Sequence, residues 1–409
     1  MGAQQYESEE EEWRPHLVFL VPGINGCAEH FDHISDRLLK EWGEEIVVHA
    51  CTSNNDALSD ILIGDKSFLT VDGIDTGGKR IAEEVVKGIN SWNGLPPRSI
   101  SFWGHSMGGL YARYAIAELM DKDGTICGLP PRLFLTTASP HIGVAGTFSK
   151  PVVAAGSAIG VLGQTGWLGK SGQQLFFEDE DRLLWRLACE DRYVDALEQF
   201  EFRALVANVC NDLVVDFCVS ALQPHCPEWL QNVKPLSEEF PHVVFDSKHW
   251  DRRLDSLELD AQIFPSSRSS KQRRSRSTRT EQRPERSLAR KRSQFQKGGK
   301  LNQLDDRGAQ GDTSSSWYSM FFEDKVEEDV TSPTIFCSGH PEQLRIEEAR
   351  LRLAAMSWRL VCMRFNDYPG QIAHNDVICK IPGWNASDGV DYITQVVMDP
   401  VFNSKYQDT

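Results

Sequence analysis

The 409 residues contain no CxxC pair, no uninterrupted apolar stretch of membrane-spanning length and no basic, apolar leader, and each absence removes a class of protein. The ten cysteines are scattered, several of them inside apolar runs where a thiol behaves as a small hydrophobe. A structural zinc site is therefore not expected, and a reduced, intracellular compartment is. The longest uncharged run, between Lys150 and Lys170, carries five glycines and the polar Ser157, Gln164 and Thr165, so no transmembrane helix is expected. The N-terminal stretch is acidic, and its Met-Gly start has Tyr6 where a myristoylation signal has Ser or Thr, so neither a targeting address nor lipidation is expected.

Basic charge is also scarce: 43 Lys and Arg stand against 59 Asp and Glu, a net charge of −16. The scarcity is uneven. Residues 266–300 hold 13 Lys or Arg against Glu281 and Glu285, which leaves the remaining 374 residues at −27. A strongly acidic body is a poor partner for nucleic acid. The basic segment lacks the aliphatic content to bury anything, and with its polar flanks it is read as a disordered insertion over 264–329. The whole chain is 40% hydrophobic and 25% charged, ordinary for a globular protein. One α/β domain is expected over 13–263 and 330–400, with an acidic tail at 1–12 and a short tail at 401–409.

The apolar pattern alternates between two kinds of run. Residues 17–21, 46–50, 100–103, 133–137, 204–209 and 360–365 are short, mostly apolar runs, whereas Phe31, Ile34, Leu38 and Trp42, or Ile81, Val85, Ile89 and Trp92, recur at helical spacing. Helices are expected also over 110–120 and 342–357. Mostly apolar strands separated by helices predict a mostly parallel sheet covered on both faces.

One of these strands runs into Gly104-His105-Ser106-Met107-Gly108 and then a helix, the G-x-S-x-G arrangement of a nucleophile elbow. A serine hydroxyl needs a base to become a nucleophile, and the base needs an orienting acid. In this kind of sheet the acid and then the base follow the serine along the chain. Asp212, just after the strand at 204–209, is the candidate acid, with Asp216 as its rival and helix capping as the ordinary role of either. His374, in the loop after the last strand, is the candidate base; His141, which precedes the acid, is the competitor, and His105 is expected to pack beside the sheet. Backbone amides of Met107 and of Ile24, in the glycine-rich turn after the first strand, are the candidate oxyanion donors. Residues 151–169, including Trp167 and Leu168, are apolar and uncharged, and read either as a lid or acyl-chain wall or as a helix packed on the sheet. The Ser- and Arg-rich insertion offers kinase sites and a cluster for anionic headgroups, or is a solvated linker.

These pieces together, HLVFLVPGING at 16–26, TVDGIDTGGKRIAEEV at 70–85, ISFWGHSMGGLYARYAI at 100–116, LTTASPHIGV at 135–144, VANVCNDLVV at 206–215 and the segment around His374, resemble the serine esterase family of lipase-like α/β hydrolases. The resemblance implies an α/β-hydrolase fold, a triad of Ser106, Asp212 and His374, and action on lipid esters such as acylglycerols or phospholipids. It implies no metal or organic cofactor and a peripheral contact with a membrane or lipid-droplet surface. The chain departs from the family in having Pro22 where members commonly have His, and Asp216 where they often have Pro. A thioesterase or amidase would use the same triad, and a catalytically silent scaffold would keep the fold without the chemistry.

Overall fold

Strands that are mostly apolar need cover on both sides, and the computed structural model supplies it. It describes residues 14–55, 69–145, 169–212, 214–248, 342–365, 373–380 and 386–402. The strands are β1 (His16–Val21), β2 (Ile46–Ala50), β3 (Ser99–His105), β4 (Pro131–Thr137), β5 (Phe202–Asn208), β6 (Val243–Asp246) and β7 (Arg359–Met363). They form one seven-stranded sheet in the order β2-β1-β3-β4-β5-β7-β6, parallel except for β6. Along β1, Leu17, Phe19 and Val21 point into one core while Val18 and Leu20 point into the other. The period of two thus splits each strand between two hydrophobic layers.

Helix α1 (Asp32–Trp42) buries Ile34 and Leu38 on one face of the sheet. On the other lie α2 (Ile74–Asn90), α3 (Gly108–Leu119), α4 (Leu183–Cys189), α5 (Asp191–Glu198), α6 (Phe217–Ala221) and α7 (Gln343–Ala354). From β1 the chain runs outward to β2, then returns to place β3 on the opposite side of β1. The connections after β1 and β3 therefore leave toward opposite faces, and a crevice opens between the C-terminal ends of these two strands, where α/β sheets bind ligands. Strand order, parallel sheet and helices on both faces make this an α/β-hydrolase fold.

Two features differ from the sequence expectation. Strand β6 is only four residues long, and its last residue is an acid, Asp246, which hides the strand among loop residues. Asp246 is fully buried because Arg359 of β7 bonds it at 2.6 Å and the Tyr392 hydroxyl donates to it at 2.5 Å; burial alone would raise its pKa, but these partners hold it below the usual carboxylate value. The folded body also runs past residue 400. Val401 and Phe402 are buried in the short helix α9 (Asp399–Phe402), which follows α8 (Ala373–Asp376), and the Phe402 ring lies 4.5 Å from Trp42 and 5.1 Å from His16.

The chain divides into one unit, Met1–Pro265 with Ser332–Thr409, and a second, Ser266–Thr331. The second unit lies outside the described residues, as do the expected tail at 1–12, the insertion at 264–329 and the apolar segment with Trp167 and Leu168.

Candidate active site

Strand β3 ends at His105, and the chain turns sharply into α3 through Ser106, whose φ of 55° lies in the left-handed region that a non-glycine residue rarely occupies. The turn is held by the Ser106 amide, which donates to the Thr137 carbonyl at the end of β4 at 2.9 Å. Glycine is required on both sides. A Cβ on Gly104 would lie 2.5 Å from the Gly109 Cα, and one on Gly108 would lie 2.0 Å from the Val21 carbonyl oxygen. The elbow therefore presses α3 against the end of β1. Buried Arg113 then ties α3 to the loop after β4 and to α4, donating to the carbonyls of His141 and Leu187, each at 2.8 Å.

The structure brings Ser106, His374 and Asp212 together from three loops at the C-terminal edge of the sheet. His374 Nε2 lies 2.9 Å from Ser106 Oγ, and His374 Nδ1 lies 3.1 Å from Asp212 Oδ2. Ser106 and His374 are buried, and the Asp212 side chain is only 2% exposed. The other carboxylate oxygen of Asp212, Oδ1, accepts the amides of Val214 and Val215 at 3.0 and 2.8 Å. Asp216 does not share this site. Its carboxylate caps α6 by accepting the Cys218 amide at 2.7 Å, and burial raises its pKa. His141 is likewise apart, its Nε2 bonded to Thr136 Oγ1 at 2.9 Å and its pKa pushed well down by burial.

His105 was placed beside the sheet by its position in the elbow, and the structure gives it a neighbour that the pattern did not foretell. Its ring lies 4.8 Å from that of His374, and its Nδ1–H donates to the Thr137 carbonyl at 3.2 Å. Burial, and then the charge that His374 can carry, hold the His105 pKa well below its ordinary value, so the ring is neutral. A neutral aromatic face supports the imidazole without repelling its proton. His105→Ala is expected to lower kcat about 3- to 10-fold and His105→Phe to restore most of it, as measured by steady-state ester hydrolysis.

The turn after β1 is closed by the Gly26 amide donating to the Gly23 carbonyl at 3.1 Å, with Asn25 at a φ of 49°. Among the described residues, neither the Ile24 amide nor the Met107 amide has a hydrogen-bond acceptor. Gly23 brings the two close: a Cβ there would lie 2.8 Å from Ser106 Cβ and 3.0 Å from the Met107 nitrogen. Gly23→Ala must push the turn away from the serine. The expected loss is on the order of 100-fold in kcat with little change in KM, read from initial rates.

Among the described residues one group has the composition of a metal site, His49, Cys51 and Glu84, with donor atoms within 4.8 Å of one another. Its chemistry does not fit an ion. Glu84 is occupied by the amides of Thr52 and Ser53 as well as by His49, which draw its pKa down to about 2 against the opposing effect of burial. Burial pushes the Cys51 thiol well above its usual value, away from the thiolate that binds metal.

A family described as "Putative serine esterase (DUF676)" matches residues 11–222, more than half of the chain. The chain belongs to this family. The match spans β1, the elbow and Asp212, and stops before β7 and His374. "Putative lipase C4A8.10" of Schizosaccharomyces pombe is 29% identical over 224 residues, covering 51% of this chain and 26% of that protein. "Putative lipase ROG1" of Saccharomyces cerevisiae is 30% identical over 243 residues, covering 56% of this chain and 32% of its own length. The matches thus span about a third or less of these relatives' own length. Among solved structures, Est1E from Butyrivibrio proteoclasticus aligns with a TM-score of 0.32 at 16% identity, covering 51% of this chain and 73% of that one. Phospholipase PlaB from Legionella pneumophila aligns with a TM-score of 0.28 at 13% identity, covering 50% and 41%. The fold assignment rests on the strand order and the elbow rather than on these alignments.

Asn208 is the functional side chain that sequence reasoning missed. Its amide nitrogen donates to Asp212 Oδ2 at 2.8 Å and to the Ala373 carbonyl at 3.0 Å. Its place four residues before Asp212, at the end of a strand, is a signal only once the acid is known.

Proposed function

We propose that the protein is a serine hydrolase that cleaves carboxylic esters through an acyl-enzyme, with lipid esters such as acylglycerols or phospholipids as its substrate class. The observation that carries the reading is the relay itself, serine to imidazole to carboxylate at 2.9 and 3.1 Å. Family membership and the names of the curated relatives support the class of reaction and the lipid substrate.

In this reading His374 Nε2 takes the Ser106 proton as Oγ attacks the ester carbonyl, and Asp212 holds Nδ1–H so that the lone pair of Nε2 faces the serine. The Ile24 and Met107 amides donate to the oxyanion, Met107 from the positive end of α3. The imidazolium then protonates the leaving alcohol, and a water activated by the same imidazole releases the acid. Among the described residues no helix is long and apolar enough to cross a membrane. In this reading a lipid ester reaches the site from a membrane or lipid-droplet surface touched peripherally, in an intracellular setting.

A fluorophosphonate probe followed by peptide mapping tests the nucleophile, and p-nitrophenyl esters of rising acyl length test the substrate class. Labelling at Ser106 with a preference for long acyl chains is expected. A folded protein that takes no label, or that is labelled elsewhere, overturns the mechanism. A preference for acetyl esters, or for thioesters of matched chain length, removes the lipid-ester assignment.

A further inference from the structure

Strand β5 ends at Asn208, a residue 2% exposed whose backbone is in register with Met363 of β7. Its side chain joins the loop of Asp212 to the segment of His374 through a single group. Both partners, the Asp212 carboxylate and the Ala373 carbonyl, are acceptors without a proton to give. The amide must therefore turn its NH2 toward them, and it spends its two N–H bonds on two different loops. Among the described residues its Oδ1 is buried with no hydrogen-bond partner. An orphaned buried acceptor is a standing cost that an apolar side chain at this position would not incur, and here it accompanies two N–H bonds that an apolar side chain could not make.

We propose that Asn208 is a positioning residue for the hydrolytic relay, locking the Asp212 carboxylate and the segment that carries His374 in one arrangement; the inference rests on the serine hydrolase reading. Two consequences follow from the contacts. Ala373 directly precedes His374, so the 3.0 Å bond to its carbonyl fixes where the imidazole starts and keeps Nε2 on Ser106. Asp212 Oδ2 divides its negative charge between the Asn208 N–H and the His374 Nδ1–H. When the Asn208 donor is removed, more of that charge falls on the imidazole and favours its protonated form. The base must be neutral to accept the serine proton, so activity would be lost at a higher pH on the acid side.

The groups around His374 frame the measurement. Asp212 faces its Nδ1, Ser106 its Nε2 and the neutral His105 ring its face, while Lys380 and His30 act on His105 from the rim. Asp376 lies on the same short helix and is buried. None of these ionisable groups is itself replaced when only residue 208 is substituted, so a moved acid limb reports the lost Asn208 donor.

The experiment compares the wild type, Asn208→Leu, Asn208→Ser, His374→Ala and the Asn208→Leu/His374→Ala double variant on a p-nitrophenyl ester across pH, with fluorophosphonate labelling rates alongside. For Asn208→Leu the expected loss in kcat is about 10- to 100-fold, with KM within about twofold and the acid limb moved up by roughly half a pH unit. Asn208→Ser, smaller and with one donor, guards against failure of the leucine variant to fold; a smaller loss with the same direction of limb movement is expected. In the His374→Ala background the leucine substitution is expected to cost nothing further, because residues that act as a unit are not additive. Wild-type rate and limb in Asn208→Ser or Asn208→Leu overturns the inference while leaving the hydrolase reading intact. So does an equal loss with and without His374, which is what a role confined to strand packing would produce. A wild type that takes no label removes the hydrolase reading and the inference with it.

Discussion

Ser106→Ala is expected to lower kcat for an activated ester on the order of a million-fold and to abolish fluorophosphonate labelling. In the proposed mechanism the size follows from losing the only atom that forms the acyl bond, while His374 and Asp212 are left with nothing to activate. What survives is the far slower attack of water on an ester held by the Ile24 and Met107 amides. The fold is expected to persist. Alanine tolerates the φ of 55° no worse than serine, and the Ser106 amide still reaches the Thr137 carbonyl, so the melting temperature is expected to shift by no more than about 2 °C. Deleting the hydroxyl leaves His374 Nε2 without its 2.9 Å partner in a buried site, which a water can replace. An alanine variant that keeps even a hundredth of the rate would place the nucleophile elsewhere and overturn the mechanism.

The parts of the architecture that were legible in the sequence are those set by local patterns. Parallel strands covered on both sides are mostly apolar, so β1 to β5 and β7 stand out, and the elbow announces itself because only glycine fits where α3 meets β1. Strand β6 was not legible, since its four residues end in an acid that only Arg359 and Tyr392 make tolerable there. Helices α4 and α5 escaped notice for a related reason: they are seven and eight residues long, too short for a period to establish itself. In the site, chain order pointed to an acid after β5 and a base after β7. It favoured Asp212 and kept Asp216, four residues further along the same loop, as a rival, because the difference lies in which carboxylate turns toward a histidine 162 positions away. Contacts of that kind, including the bond from Asn208 to a carbonyl 165 positions later, exist only once the sheet has assembled.

Asp212→Asn is expected to lower kcat by about four orders of magnitude, whereas Asp216→Asn is expected to leave it within about twofold. The hydrogen bonds around Asp212 explain why a near-isosteric change is so damaging. Its Oδ1 accepts two backbone amides, from Val214 and Val215, so an amide side chain there must keep its oxygen at that position. The NH2 group is then forced to where Oδ2 was, facing the Asn208 NH2 and His374 Nδ1. Donors would confront donors. His374 can relieve its part only by moving its proton from Nδ1 to Nε2, which turns N–H toward Ser106 and leaves no lone pair to receive the serine proton. The variant would fold, bind substrate with nearly unchanged KM and fail at the chemical step, with the residual rate rising at high pH as the serine loses its proton to hydroxide. Asp216 instead accepts from Cys218, its amide at the start of α6 and its thiol, a task that asparagine's oxygen performs almost as well, so its substitution is expected to cost less than about 1 kcal/mol of stability by urea unfolding. Equal losses in the two variants, or a loss confined to Asp216→Asn, would assign the acid to the other carboxylate and undo the relay described above.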